Sequence, residues 1–341
     1  MVDPYKLRYI QFIGTQRSGS NLLRVMLNQL PELSAPHPPH VLKTFMPLLP
    51  RYGALDRRAN LAQLAADVCA WVNANPVSWE PYRAVPETVL SESVLPGLLG
   101  IFVAISEGKA RSDGAQVWCC KSMETVAYMD RLEACGLHPV YIHLFRDGRD
   151  VALSFMKAVV GPKHAYALAR KWDEEQRLAL EWKSKLPQER FVSMRYEDLI
   201  REPEQELRRL CAAIGLPFRS AMLDYFESGE SRRTAHAGKM WENLEKPVMA
   251  SNTGKFRSGL SDRQLEVFEQ VAGRTLAALG YPLVAGSASD RPFTEKEIKE
   301  FEEENVLLIR KALAGADPGD LEKRRPQEQL LQKILDRPPL T

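Results

Sequence analysis

With 341 residues, 45% hydrophobic and 26% charged, the chain has ordinary globular composition and enough length for one large domain with an appendage or for two domains. Its 46 Lys and Arg against 44 Asp and Glu leave a formal net charge of +2, which excludes the broad basic field of a nucleic-acid binder or a polybasic membrane patch, so any cationic site must be local. The 5 cysteines (Cys69, Cys119, Cys120, Cys135 and Cys211) are odd in number and lack C-x-x-C spacing, which argues against a disulfide framework or a zinc site and for free thiols in a reducing cytoplasm.

The chain opens on Met1 to Leu7, which has no long apolar run behind a basic start, and no later stretch approaches ~18 uninterrupted apolar residues, so a cytoplasmic protein without a membrane span is expected. A strand over Tyr9-Ile10-Gln11-Phe12-Ile13 then stops at Gly14 and crosses a polar loop of Thr15, Gln16 and Arg17 to a helix expected from about Ser18 to Leu30, with Gly19, Ser20 and Asn21 at its start. A glycine-punctuated loop between strand and helix N-terminus is a phosphate cradle, although an ordinary glycine turn closes many parallel strands too. Gly14 and Gly19 match the glycines of G-x-x-x-x-G-K-[ST], but Ser20 stands where the lysine would be and Asn21 where the magnesium-binding hydroxyl would be. The charge clamp of ATP or GTP hydrolysis is therefore missing, and Arg17 is the remaining cation of the loop.

Next, Ser34 to Lys43 holds His37 and His40 among three prolines that forbid a regular helix. Two imidazoles beside an anion cradle are candidates for acid/base work, or else two surface histidines in a stiff turn; a metal reading lacks a third ligand. From Phe45 to about Arg111 the pattern is that of a helical insertion, broken at Pro96 and Gly97, with Trp71, Trp79 and Tyr82 in its loops; it offers either an acceptor pocket or plain core.

A second strand over Gln116 to Cys120 delivers Lys121, and a third over Pro139 to Phe145 delivers Arg146 with Ser154 two turns into the following helix. A guanidinium there suits a second phosphate. A long helix spans His164 to Leu186, the strand Arg190 to Arg195 leads to Tyr196, and Pro203 starts a helix stopped by Gly215. Strands alternating with helices imply a central parallel sheet flanked by helices. Asn252 to Gly259, with Lys255 and Arg257, is a basic loop that either closes over an anion or is an exposed turn, and Ser261 with Gln264 forms a capping box for the helix after it. Gly286 to Asp290 reads as a linker, so residues 1–285 form the main domain, with the insertion at about 45–111, and residues 286–341 a C-terminal helical extension. The apolar stripes of that extension suit the body or a second copy in a homodimer, and its residues suggest no chemistry.

Together these pieces resemble the sulfotransferases that use 3′-phosphoadenosine 5′-phosphosulfate (PAPS). The likeness rests on Gly14-Thr15-Gln16-Arg17-Ser18-Gly19-Ser20-Asn21, similar to the family's 5′-phosphosulfate loop, and on Arg146 through Ser154, similar to its 3′-phosphate site. Tyr196-Glu197-Asp198-Leu199 and Lys255 with Arg257 add to it. The resemblance implies a three-layer P-loop-like fold and metal-independent transfer of a sulfuryl group to a hydroxyl or amine of a small-molecule or other acceptor, leaving adenosine 3′,5′-bisphosphate (PAP). It makes Lys121 the family's lysine after the second strand and puts Tyr196 at the adenine. Met123 departs from the cytosolic phenol sulfotransferases, which carry a histidine there. The motif layout looks closer to the tyrosylprotein branch, whose acidic base follows the first helix; counted from the loop glycine, His37 falls at that place and His40 is its reserve. A divergent nucleotide kinase or a non-catalytic nucleotide-binding module is the rival reading.

Overall fold

The computed structural model describes residues 7–284 and 291–341. Its strands are β1 (Arg8–Ile13), β2 (Leu33–Ser34), β3 (Val117–Cys120), β4 (Val140–Phe145) and β5 (Phe191–Arg195), all parallel, in the order β2-β3-β1-β4-β5. In β1, Tyr9 and Ile13 join one core cluster while Ile10 and Phe12 join another, because successive side chains of a strand point to opposite faces. A sheet covered on both faces needs such near-continuous apolar strands, which is what made β1, β3 and β4 readable. The edge strand β2 has two residues, too few for a periodic signal.

Following β1, α1 (Ser20–Leu27) begins where Gly19 takes the left-handed conformation at φ 86°, so it is shorter than the expected helix at both ends. The insertion consists of α2 (Val41–Phe45), α3 (Arg58–Asn73), α4 (Pro86–Glu92) and α5 (Gly97–Ser112), with the break before Gly97 as expected. Trp71 is not in a loop: it lies in α3, buried, and its indole N–H donates to the Pro39 carbonyl at 2.5 Å, tying the proline-rich segment to the insertion. Among the described residues no single helix is long and apolar enough to cross a membrane; α4 and α5 pass together on composition but meet at 103°, and most of α5 is buried core.

The second half adds α6 (Met129–Ala134), α7 (Gly148–Lys157), α8 (Ala165–Lys185), α9 (Tyr196–Arg201), α10 (Pro203–Ala213), α11 (Gly229–His236), α12 (Phe256–Gly259) and α13 (Asp262–Ala278), the last opened by the Ser261/Gln264 capping box. The linker at Gly286 to Asp290 lies outside the described residues. Beyond it, α14 (Glu295–Ala314) stacks Phe301 on His164 with ring centroids 4.7 Å apart, and α15 (Pro318–Asp336) buries Ile334 in the core of the insertion. Arg51 fastens the end of α15 by donating to the carbonyls of Leu335 at 2.6 Å and Arg337 at 2.5 Å. These stripes are therefore spent largely on the body of the same chain.

Candidate active site

The carboxyl ends of β1, β3, β4 and β5 open on one cleft of about 460 Å³. Open parallel sheets place ligands there, outside the strand ends and beside the strand at which the chain changes direction across the sheet, which here is β1. Seven lysine and arginine side chains line it against a single carboxylate, Asp150.

Gln16, Arg17, Gly19, Ser20 and Asn21 of the loop after β1 reach the cleft. Gly14, Thr15 and Ser18 lie beneath them. The Thr15 hydroxyl accepts from Gln176 Nε2 at 3.1 Å, and the Gln176 carbonyl shares a 2.7 Å hydrogen bond with His143 on β4, so α8 and β4 brace the loop from below. No side chain caps the start of α1, and the buried Ser18 hydroxyl has no hydrogen-bond partner. Uncapped N–H groups at the positive end of a helix, beside an orphaned hydroxyl, are donors awaiting an anion. Arg17 sits at φ 71°, which turns its guanidinium over the cleft, where Nε donates to Ser154 Oγ at 3.1 Å. Burial, with Arg146 and Arg324 adding, lowers the Arg17 pKa to about 10.

Gly19 is required twice over. A Cβ there would lie 2.3 Å from the Tyr196 ring, and its φ is unfavourable for any L side chain. Gly19→Ala is expected to weaken binding of a phosphate-type anion such as inorganic pyrophosphate by about tenfold or more, because a ~2 kcal/mol distortion falls on the loop itself. Calorimetric titration of a variant with wild-type circular dichroism checks this; unchanged affinity would mean that the loop does not hold the ligand.

Arg146 stacks its guanidinium 4.6 Å from the centroid of the Tyr196 ring and donates to the Asn252 carbonyl at 2.9 Å, while its buried Nε has no partner. Asp150 pins the basic loop by accepting from the backbone N–H of Gly254 at 2.7 Å and of Phe256 at 2.9 Å. That anchoring brings Lys255 to the cleft but not Arg257. Because α12 turns only Phe256 inward, Arg257 is exposed, over the outer side of the Phe256 ring.

Gln11 donates to the carbonyls of Cys120 at 3.1 Å and Ser122 at 3.0 Å, fixing the backbone on both sides of Lys121. Lys121 is buried, and burial together with Arg24 lowers its pKa to about 7 despite the opposing pull of Glu124. Met123 is fully buried under Gly14 and offers the cleft no group. His37 and His40 both line the cleft. His37 is buried edge-on to Trp241, centroids 4.8 Å apart, and among the described residues neither ring nitrogen has a well-aligned hydrogen-bond partner, although the Asn75 side chain is near enough to favour its protonated form. Burial holds its pKa well below 6.5, and Lys121 and Arg24 push the same way, so the ring is neutral and free to accept a proton. His40 adopts φ 55°, and its Nδ1 is 3.9 Å from Glu124 Oε2; burial lowers its pKa to about 3. Glu124 is clamped by Lys43 at 2.6 Å and Gln16 at 2.8 Å; burial pushes its carboxyl up, but His40, Lys43 and Lys171 outweigh that and hold its pKa near 2.

Four participants were not singled out from the sequence. Arg24, fully buried, bonds Glu230 at 2.5 Å, Thr234 at 2.7 Å, the Ala35 carbonyl at 3.0 Å and Asn21 Oδ1 at 3.2 Å, so it sets both Asn21 and the histidine segment. An arginine on the apolar face of α1 was a signal for it. Glu124, three residues after Lys121, and Trp241 and Arg324, from distant segments, carried none.

Residues 10–220 match the sequence profile of the sulfotransferase family. No curated protein matches the chain. Among solved structures, the sulfotransferase domain of the Synechococcus PCC 7002 olefin synthase superposes with a TM-score of 0.55 at 21% identity, covering 83% of this chain and 98% of that one. The sulfotransferase domain from the curacin biosynthetic pathway gives 0.52 at 19% identity, covering 82% and 100%. Both show the same fold.

Proposed function

Because the chain belongs to the sulfotransferase family, we propose that its cleft takes PAPS as donor and transfers the sulfuryl group to a hydroxyl of the acceptor, with His37 as general base. The reading rests above all on the uncapped start of α1 converging with Arg17, Lys121 and Arg146 in one cleft, while Ser20 stands in place of the lysine of a nucleotide-hydrolysing loop.

The residues suit such a donor. Loop N–H groups, Ser18, Ser20 and Arg17 face one anionic group, and Arg146, with Ser154 nearby and Lys255 above, faces a second. Tyr196 supplies an aromatic face in the same cleft. PAPS brings an activated S–O bond to a phosphate. His37 takes the acceptor's hydroxyl proton as the acceptor oxygen bonds to sulfur, and Lys121 and Arg17 stabilise the charge that builds on the departing phosphate oxygen as the S–O bond breaks. One specific observation favours His40 as the base instead: the Glu124 carboxylate behind its ring would stabilise an imidazolium.

Calorimetry with PAP, with and without EDTA, tests the donor assignment. Metal-independent binding is expected, and a preference for ATP with magnesium would overturn it in favour of a kinase-like module. Binding should also take up protons, from about half a proton per site at pH 7 to close to one at pH 8. Lys121 is only partly protonated there in the free protein, and the phosphates raise its pKa on binding. Affinity should accordingly fall as pH rises past about 7, and titrations in buffers of different ionisation heat read the uptake directly.

A further inference from the structure

We propose that α15 forms the acceptor wall of the cleft and that Arg324 on it binds an oxyanion, a carboxylate or phosphate group, carried by the acceptor. This rests on the sulfotransferase reading of the cleft. Arg324 and Gln327 reach the cleft from the chain's last long helix, more than 100 residues beyond the segment that matches the family profile. The helix is tied down around them. Both Asp320 oxygens accept from the Lys239 backbone N–H, at 3.0 and 3.2 Å; Gln327 Nε2 donates to the Trp71 carbonyl at 3.0 Å; and Lys323 bonds the His236 carbonyl.

A guanidinium held this firmly ought to have a counter-charge. Asp320 and Glu328, one turn to either side on α15, attract it from a distance, but among the described residues no carboxylate comes within ion-pair distance of Arg324; its buried Nε is unpartnered, and Nη2 meets only Met240 Sδ, at 4.0 Å. Arg324 also lines the same cleft as Arg17 and His40, and its charge disfavours protonation of both. An unpaired, half-buried cation in an already cationic cleft is costly unless a ligand neutralises it. In the proposed donor site the anionic groups already have Arg17, Lys121, Arg146 and the loop N–H groups. Arg324 lies 5.6 Å from the Trp241 ring centroid, and the same indole touches His37. One aromatic ring therefore spans the proposed base and the free guanidinium. The acceptor this fits is a hydroxyl compound whose apolar part lies on Trp241, with an oxyanion beyond it that Arg324 grips bidentately.

The test uses the full chain saturated with PAP and titrated calorimetrically with hexanoate, hexyl phosphate and 1-hexanol. At least one of the two anions should bind about tenfold more tightly than hexanol, and which does so identifies the carboxylate or the phosphate. Arg324→Gln should erase that preference while PAP affinity stays within about threefold of wild type, and Arg324→Lys should retain part of it. The proposal is overturned if neither anion binds the PAP-loaded protein better than hexanol, or if Arg324→Gln binds the anions as wild type does. Anions that bind only without PAP would overturn it too, by assigning Arg324 to the donor. Failure of PAP itself to bind would instead refute the donor reading.

Discussion

Lys121→Ala is expected to reduce transfer from sulfur-labelled PAPS, with a metabolite extract as acceptor source, by about 10²–10³-fold, the usual loss when one buried donor to developing charge is removed. PAP affinity should change less, by no more than about tenfold, because Arg17, Arg146 and the start of α1 still hold its phosphates. Lys121 suits this role because it is buried at the end of β3 with its flanking carbonyls held by Gln11. A rigid cation in a dry site needs no reorganisation as charge builds. Its lowered pKa of about 7 also sets the basic limb of donor capture: kcat/KM for PAPS should decline as pH rises beyond about 7, where the free protein loses this charge. Transfer within about threefold of wild type, or a flat profile from pH 6 to 9, would remove Lys121 from the chemistry.

His37→Ala should lower transfer by about 10²-fold or more, the low end of what a general base contributes, with PAP binding near wild type. The neutral ring in the free protein follows from burial first and from Lys121, Arg24 and His40 after it. An anionic donor offsets those cations, so the proton affinity of His37 rises once the donor is bound and the base becomes stronger in the loaded site. Because its free-state pKa lies well below 6.5, no acid limb from His37 should appear in donor capture near neutral pH. His40→Ala and Glu124→Gln distinguish the second reading. If both fall with His40 while His37→Ala keeps full transfer, the base is His40, with Glu124 supporting its imidazolium.

Much of this site was legible in the chain because its donor side is made of local units. Each parallel strand is an apolar run ending in a polar turn, and each turn, at Gly14, Lys121, Arg146 and Tyr196, carries its functional residue within a few positions of the strand end. The loop glycines, the absent lysine at Ser20 and the capping box at Ser261 are likewise short-range chemistry. Of the two basic residues in the Asn252 to Gly259 loop only Lys255 reaches the cleft and Arg257 is exposed, because the loop contains a four-residue helix too short to be read from sequence. Trp71 was read as a loop residue because α3 is nearly apolar all round at that end, which blurs helical periodicity.

The sequence by itself therefore determined the parallel sheet, the glycine and basic turns at its strand ends and the family they resemble, since all of these follow from patterns a few residues long. Only the tertiary structure decided what faces those turns. Glu124 behind His40, Glu230 and Thr234 on Arg24, and Trp241 with Arg324 beside His37 join segments separated by tens to hundreds of residues, through burial and hydrogen bonds that no local periodicity encodes. The C-terminal helices, which suggested no chemistry when read along the chain, reach the cleft because folding docks α15 on the insertion and brings Arg324 and Gln327 to its lining.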